Sequence, residues 1–96
     1  MTVKKLKKEG DILITCGIAG IGHLGEALTK QLEGEGVNIY AYHPNSQRRT
    51  KFANEFKKVK AVDLSELFKQ SIVLLALPAE VVHPFLRNAQ KEIPPQ

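Results

Sequence analysis

Ile12-Leu13-Ile14-Thr15-Cys16-Gly17-Ile18-Ala19 runs directly into Gly20-Ile21-Gly22-His23-Leu24-Gly25. The first eight residues carry no apolar/polar alternation, which is the pattern of a strand covered on both faces. The next six fit the spacing G-x-G-x-x-G. Leu24, Ala27, Leu28 and Leu32 then place an apolar stripe along a helix. All seven glycines of the chain precede residue 37, and four fall between Gly17 and Gly25, so glycine is concentrated where strand meets helix. Gly20 suits a tight turn, Gly22 a close approach of a ligand to the backbone, and Gly25 close packing of helix on strand. In a strand–loop–helix context this spacing cradles the pyrophosphate of a dinucleotide, aided by the free N–H groups that open the helix. A glycine-rich turn without a ligand is the other reading of the same residues. On the first reading Gly20, Ile21, Gly22, His23, Leu24 and Gly25 are candidate cofactor contacts, although His23 reads first as a polar residue tolerated in the loop.

Downstream, Gly34 and Gly36 supply a helix stop, and Val37, Ile39 and Ala41 alternate with Asn38, Tyr40 and Tyr42 as a second strand. His43-Pro44-Asn45-Ser46 is a turn in which Asn45 or Ser46 can cap the next helix. That helix is expected over residues 47–57, with Phe52, Ala53 and Phe56 inward. A short third strand comes next, at Val59 to Val62. Asp63 and Glu66 then have the spacing of a capping box for a helix burying Leu64, Leu67 and Phe68. Ile72-Val73-Leu74-Leu75-Ala76-Leu77 is apolar at every position, which implies cover on both faces, and Pro78 ends it. Val82, Phe85, Leu86 and Ala89 give a last helical stripe, with Pro84 tolerable in its first turn.

The order β-α-β-α-β-α-β-α favours a parallel sheet with right-handed crossovers. A flavodoxin-like sheet shares that order, and the glycine loop selects a Rossmann-type α/β fold with strand order 3-2-1-4, truncated after the fourth strand and its helix. The expected division is a basic tail at 1–10, a dinucleotide-binding domain at 11–92 and a C-terminal end at 93–96.

Ninety-six residues allow one small domain. The single cysteine, Cys16, excludes an internal disulfide framework and argues against a cysteine zinc site, so no metal is expected. Buried in the first strand, its thiol is expected to be inert. No apolar run approaches membrane-span length and no signal-peptide core precedes Gly10, so a cytoplasmic protein with no membrane partner is expected. The net charge of +4 lies mostly in Lys4, Lys5, Lys7 and Lys8 and in a stretch from Arg48 to Lys60. Without a nucleic-acid-binding motif or a stacking platform, these do not read as a nucleic-acid surface.

The choice of dinucleotide rests on the residues after the second strand. NAD sites commonly place a carboxylate there to hold the ribose 2′-hydroxyl. This chain has Tyr42-His43-Pro44-Asn45-Ser46-Gln47-Arg48-Arg49, with no acid. Ser46, Arg48 and Arg49 suit a 2′-phosphate instead, so NADP is the expected cofactor, with His43 and Asn45 beside them and Arg48, nearer the loop, the first candidate. No general acid or base stands out: His23 and His43 lie in loops, and His83 reads as a surface residue. The catalytic residues are unassigned.

Gly17-Ile18-Ala19-Gly20-Ile21-Gly22-His23-Leu24-Gly25-Glu26-Ala27-Leu28, the Pro-Asn-Ser-Gln-Arg-Arg turn, and Ala76-Leu77-Pro78 before a helix together resemble one known domain. It is the N-terminal NADP-binding domain of the pyrroline-5-carboxylate reductase family, within the broader group of coenzyme F420-dependent NADP oxidoreductases. The resemblance covers roughly Thr15 to Ala89. It implies that Ala76, Leu77 and Pro78 line the nicotinamide ribose, and that the parent activity is hydride transfer to a small C=N or C=O substrate. The family usually has Val-Lys-Pro at Ala76-Leu77-Pro78, and an Arg where this chain has Pro44. Family members also carry a helical C-terminal domain that dimerises and completes the substrate pocket. On that basis this chain is expected to be the cofactor-binding front of a larger, homodimeric reductase, incomplete for catalysis alone. A non-catalytic dinucleotide-binding, sensing or interaction module is the alternative.

Overall fold

Residues 14–93 are described by the computed structural model. The expected basic tail, the opening residues of the first strand and the Pro94-Pro95-Gln96 end lie outside the described residues. The first strand, β1, spans Cys16–Ala19, shorter than the apolar run that announces it, and leads through the glycine loop into α1 (His23–Gly34). The chain continues through β2 (Ile39–Tyr42), α2 (Ser46–Asn54), β3 (Val59–Ala61), α3 (Leu64–Leu67), β4 (Ile72–Leu75) and α4 (Ala79–Asn88), closing on a 3-10 turn at Gln90–Glu92. The strands form one sheet in the order β3-β2-β1-β4, with every neighbouring pair parallel. This is the expected α/β architecture of Rossmann type. β1 sits centrally, Ile18 facing Ala41 on one side and Leu74 on the other.

Side chains alternate across the sheet and feed two clusters. Cys16, Ile18 and Ile39 join Leu32 and Val37, with Leu28, Val59, Leu74 and Ala76 packed against them. On the opposite face Ala19 joins Val62 and Leu67, flanked by Tyr40, Tyr42, Phe68, Val73, Leu75 and Phe85. Period-two alternation of a pleated strand produces this split.

α1 ends through a Schellman motif. Gly36 has φ +83°, its N–H donates to Glu33 O at 2.9 Å, and the N–H of Val37 donates to Leu32 O at 3.1 Å. Buried Leu32 and Val37 complete the apolar contact that accompanies this cap. Asp63 Oδ1 accepts from Glu66 N at 2.9 Å and caps α3. The carboxylate of Glu66 turns to Gln70 Nε2 at 3.3 Å and Lys69 Nζ at 3.9 Å. Only the forward half of the expected capping box is therefore made.

Three expectations about burial need correction. On α1 the buried residues are Gly25, Thr29 and Leu32, whereas Leu24 is 59% exposed and Ala27 is exposed. Close contact of Gly25 with the Gly20 backbone turns the first turn of α1 so that Gly25, not Leu24, meets the sheet. Thr29, fully buried, donates its hydroxyl to Gly25 O at 2.7 Å and so carries no unpaired polar group inward. β4 is covered only in part on each face, Leu74 packing on the first cluster and Val73 and Leu75 on the second. It is an edge strand with β1 as its one sheet neighbour; Ile72 is 49% exposed and Val73 to Leu75 are half-buried. α4 beside it has no fully buried residue. α2 also stops at Asn54, short of the expected 57, leaving Phe56 half-buried and tilted against Phe52, the ring centroids 5.1 Å apart.

The buried Cys16 thiol is pushed above its ordinary pKa by desolvation, leaving little thiolate at neutral pH. Thiol labelling at pH 7.5 should be at least about tenfold slower for the folded chain than for the chain in denaturant. Equal rates would place Cys16 in contact with solvent.

Candidate functional site

The sheet order sets the place of the site. From β1 the chain steps outward to β2 and β3, then returns to lay β4 on the other side of β1. This reversal opens a crevice at the carboxyl ends of β1 and β4, where open parallel sheets hold their ligands. The glycine loop lies on one side of that crevice, and Ala76-Leu77-Pro78 on the other.

The two sides meet through backbone. Gly20 has φ +106°, a conformation that favours glycine. A Cβ on Gly20 would clash with the carbonyl oxygen of Ala76 and stand 3.1 Å from Leu77 Cδ2. A Cβ on Gly25 would overlap Gly20 O and reach Ala76 Cβ at 3.6 Å. Gly20 N donates to Tyr42 O at 3.2 Å, and Ala76 N to Ala19 O at 2.8 Å, tying the ends of β1, β2 and β4 together. Gly22 is different. Its φ of −77° suits any residue, and a Cβ there would meet nothing within 4 Å. The fold does not require glycine at this position; the space in front of it is open.

Gly22 is also the N-cap of α1, and it supplies no side-chain hydrogen bond. Among the described residues the N–H groups of His23, Leu24 and Gly25 have no acceptor, the first bond of the helix being Glu26 N to Gly22 O at 2.8 Å. α2 and α3, by contrast, are capped by Asn45 and Asp63. α4, which begins after Pro78 beyond β4, is again without a side-chain cap. The two uncapped helices are thus those that succeed the two strands flanking the crevice. Open N–H groups and the helix dipole make such ends suited to an anion.

Beyond β2, Asn45 Oδ1 accepts from Arg48 N at 3.0 Å and starts α2. Asn45 N donates to His43 Nδ1, also at 3.0 Å. Arg48 is exposed, and among the described residues its guanidinium has no hydrogen-bond or ion-pair partner. Together with Ile21 of the glycine loop it lines a hollow of about 250 Å³ completed by Glu26, Lys51, Phe52 and Glu55.

Residues 15–95 match the family of coenzyme F420-dependent NADP oxidoreductases. The chain belongs to that family. No curated protein sequence matches it.

As the Rossmann domain of an NADP oxidoreductase family, the structure distributes the candidate residues unevenly. Gly20 packs against Ala76 and Leu77, Gly25 packs against Gly20 and Ala76, and Ile21 lines the same hollow as Arg48. Ser46 lines a larger, adjoining hollow of about 550 Å³ with Gln47, Thr50 and Asn54, sharing Lys51 and Glu55 with the first. That hollow lies along α2 and neighbouring Glu55 alone, with no residue of the glycine loop, so it does not bring the crevice groups together. His23 and Leu24 are exposed at the start of α1. Arg49 is half-buried and turned toward the sheet: it donates to Val62 O at 2.6 Å and lies 5.4 Å over the Tyr42 ring. Its charge is committed to the junction between β2 and β3, while that of Arg48 stays open.

In sequence Lys51 stood out only as one charge of the basic stretch, not as a site residue. It lies three residues after Arg48, hence on the same face of α2, and it shares the hollow with Ile21. Burial, joined by the positive charges of Arg48 and Arg49, pushes the His43 imidazole below its ordinary pKa. Among the described residues no cluster of three or more His, Cys, Asp or Glu could hold a metal, and no helix is long and apolar enough to cross a membrane.

Two pairs of substitutions test this division of labour. Gly25→Ala should destabilise the domain by about 3 kcal/mol, because the added methyl meets backbone that cannot yield, while Gly22→Ala should change stability by less than about 1 kcal/mol. Chemical denaturation reads both, and equal losses would refute the packing assigned to Gly25. Arg49→Ala should cost about 1–2 kcal/mol through its carbonyl bond and its stacking. Arg48→Ala should stay within about 0.5 kcal/mol of the parent.

Proposed function

We propose that this domain binds NADP(H), with the pyrophosphate seated on the glycine loop and the 2′-phosphate held by Arg48, and that it serves hydride transfer to a small C=N or C=O substrate, as in pyrroline-5-carboxylate reductases. Open space in front of Gly22, beside uncapped N–H groups of α1, carries this reading. A Cβ at Gly22 would occupy that space, which accounts for a glycine the fold does not need.

Each group has a separate part. The amides at the start of α1 donate to phosphate oxygens. Arg48 and Lys51 oppose the charge of the 2′-phosphate, and no acid stands just after β2 to repel it. Glu26 and Glu55 also line the hollow, the carboxylate of Glu26 being paired with Lys30 at 3.2 Å. Ala76, Leu77 and Pro78 offer an apolar wall on the nicotinamide side. When bound, the reduced nicotinamide supplies the hydride, while the domain supplies orientation and electrostatics. In this reading the substrate pocket and the proton donor come from outside the dinucleotide cradle, in a homodimeric protein of the cytoplasm.

Calorimetric titration of the full chain with NADPH and NADH tests the proposal. NADPH should bind at least about tenfold more tightly, the worth of one well-formed charged contact. Arg48→Ala should abolish that preference while leaving NADH affinity unchanged, and Gly22→Ala should weaken both cofactors by about tenfold. Equal, millimolar binding of the two by the parent chain would refute the assignment. Reduction of a cyclic imine by the chain alone would overturn the view that it lacks its own substrate groups.

A further inference from the structure

We propose that His43 is a positioning residue for 2′-phosphate recognition, acting through Nδ1 as a hydrogen-bond acceptor that locks the β2–α2 turn and so aims Arg48. The inference rests on the NADP reading and goes further, assigning the imidazole a task other than touching the phosphate.

The turn holds two consecutive side-chain-to-backbone bonds. His43 Nδ1 accepts the N–H of Asn45, two residues on, at 3.0 Å. Asn45 Oδ1 accepts the N–H of Arg48, three residues further, at 3.0 Å. Pro44 between them has a fixed φ and biases His43 toward extended backbone. An unbroken chain of constraint therefore runs from the end of β2 to Arg48, and His43 is its first member. Because an N–H points at Nδ1, the ring proton sits on Nε2 and the imidazole is neutral. A neutral ring is compatible with its surroundings: burial first, then Arg48 and Arg49, disfavour the imidazolium and outweigh the opposing influence of the Asn45 backbone bond. His43 here does what Asn or Asp does in an Asx turn, where a side chain accepts from the backbone two residues on.

That equivalence separates the two nitrogens experimentally. In His43→Asn the amide oxygen takes the place of Nδ1, whereas in His43→Gln the amide lies near the place of Nε2. The quantity to measure is the ratio of NADH to NADPH dissociation constants for the full chain, with folding verified by circular dichroism. His43→Asn should keep the ratio within about twofold of the parent, while His43→Gln and His43→Ala should lower it about tenfold. The reverse order, Gln retaining and Asn losing, would show Nε2 contacting the phosphate directly and would overturn the proposal, as would an unchanged ratio in His43→Ala. Amide exchange of the cofactor-free chain gives an independent arm. The Asn45 N–H should be protected in the parent and in His43→Asn but not in His43→Gln, and equal protection in all three would defeat the role of Nδ1. If the parent shows no NADPH preference, the NADP reading fails together with the phosphate half of this inference. The exchange result then stands alone on whether His43 holds the turn.

Discussion

Gly20, Gly25 and Ala76 meet where no side chain can intrude, and the arrangement of the whole crevice depends on that contact. A methyl on Gly20 would enter the Ala76 carbonyl, and one on Gly25 would enter the Gly20 carbonyl. Backbone therefore lies directly on backbone, and the first turn of α1 sits tight against the ends of β1 and β4. That closeness orients the N–H groups of the helix start toward the switch point of the sheet. It also explains why the inward face of α1 begins at Gly25 and leaves Leu24 in solvent. Packing at a van der Waals limit overrides the preference of a leucine for burial.

Around this contact the glycines divide by the demand each one meets. Gly20 and Gly25 are demanded by the fold, and the Gly20 backbone by its positive φ as well. Gly22 is demanded by neither packing nor conformation, and the space before it stays open. The two arginines of α2 divide in the same way. Arg49 turns inward to a carbonyl and a tyrosine ring, serving the fold, while Arg48 stays open beside the glycine loop. Adjacent residues of one type on one helix take different tasks because successive positions point about 100° apart.

Much of the architecture was legible from local pattern. Order of elements, the Schellman stop at Gly36 and the caps at Asn45 and Asp63 depend on residues within a few positions of one another, and short-range chemistry reads them directly. The exposure of β4 was not legible. Its unbroken apolar run states only that it lies in a sheet, and cover depends on which elements reach it through space. Nor did the stripe on α1 reveal its true face, since Leu24 and Gly25 differ by one position and a backbone clash, not hydropathy, chose between them. In the candidate site, the glycine loop and the basic turn stood out by composition. Lys51 did not stand out as a site residue because its meaning depends on Arg48 and Ile21 being neighbours across two elements.

Sequence alone settled the parallel α/β class and the location of the glycine loop, and membership of the NADP oxidoreductase family came from matching residues 15–95. These properties are written in spacing and glycine placement. Tertiary structure alone decided that the fold does not require Gly22, that Arg49 belongs to the Val62 carbonyl while the Arg48 guanidinium has no partner among the described residues, and that His43 grips the turn through Nδ1. Each depends on distances between atoms that a linear pattern does not contain, set once the Gly20–Ala76 contact fixes how helix, strand and loop come together.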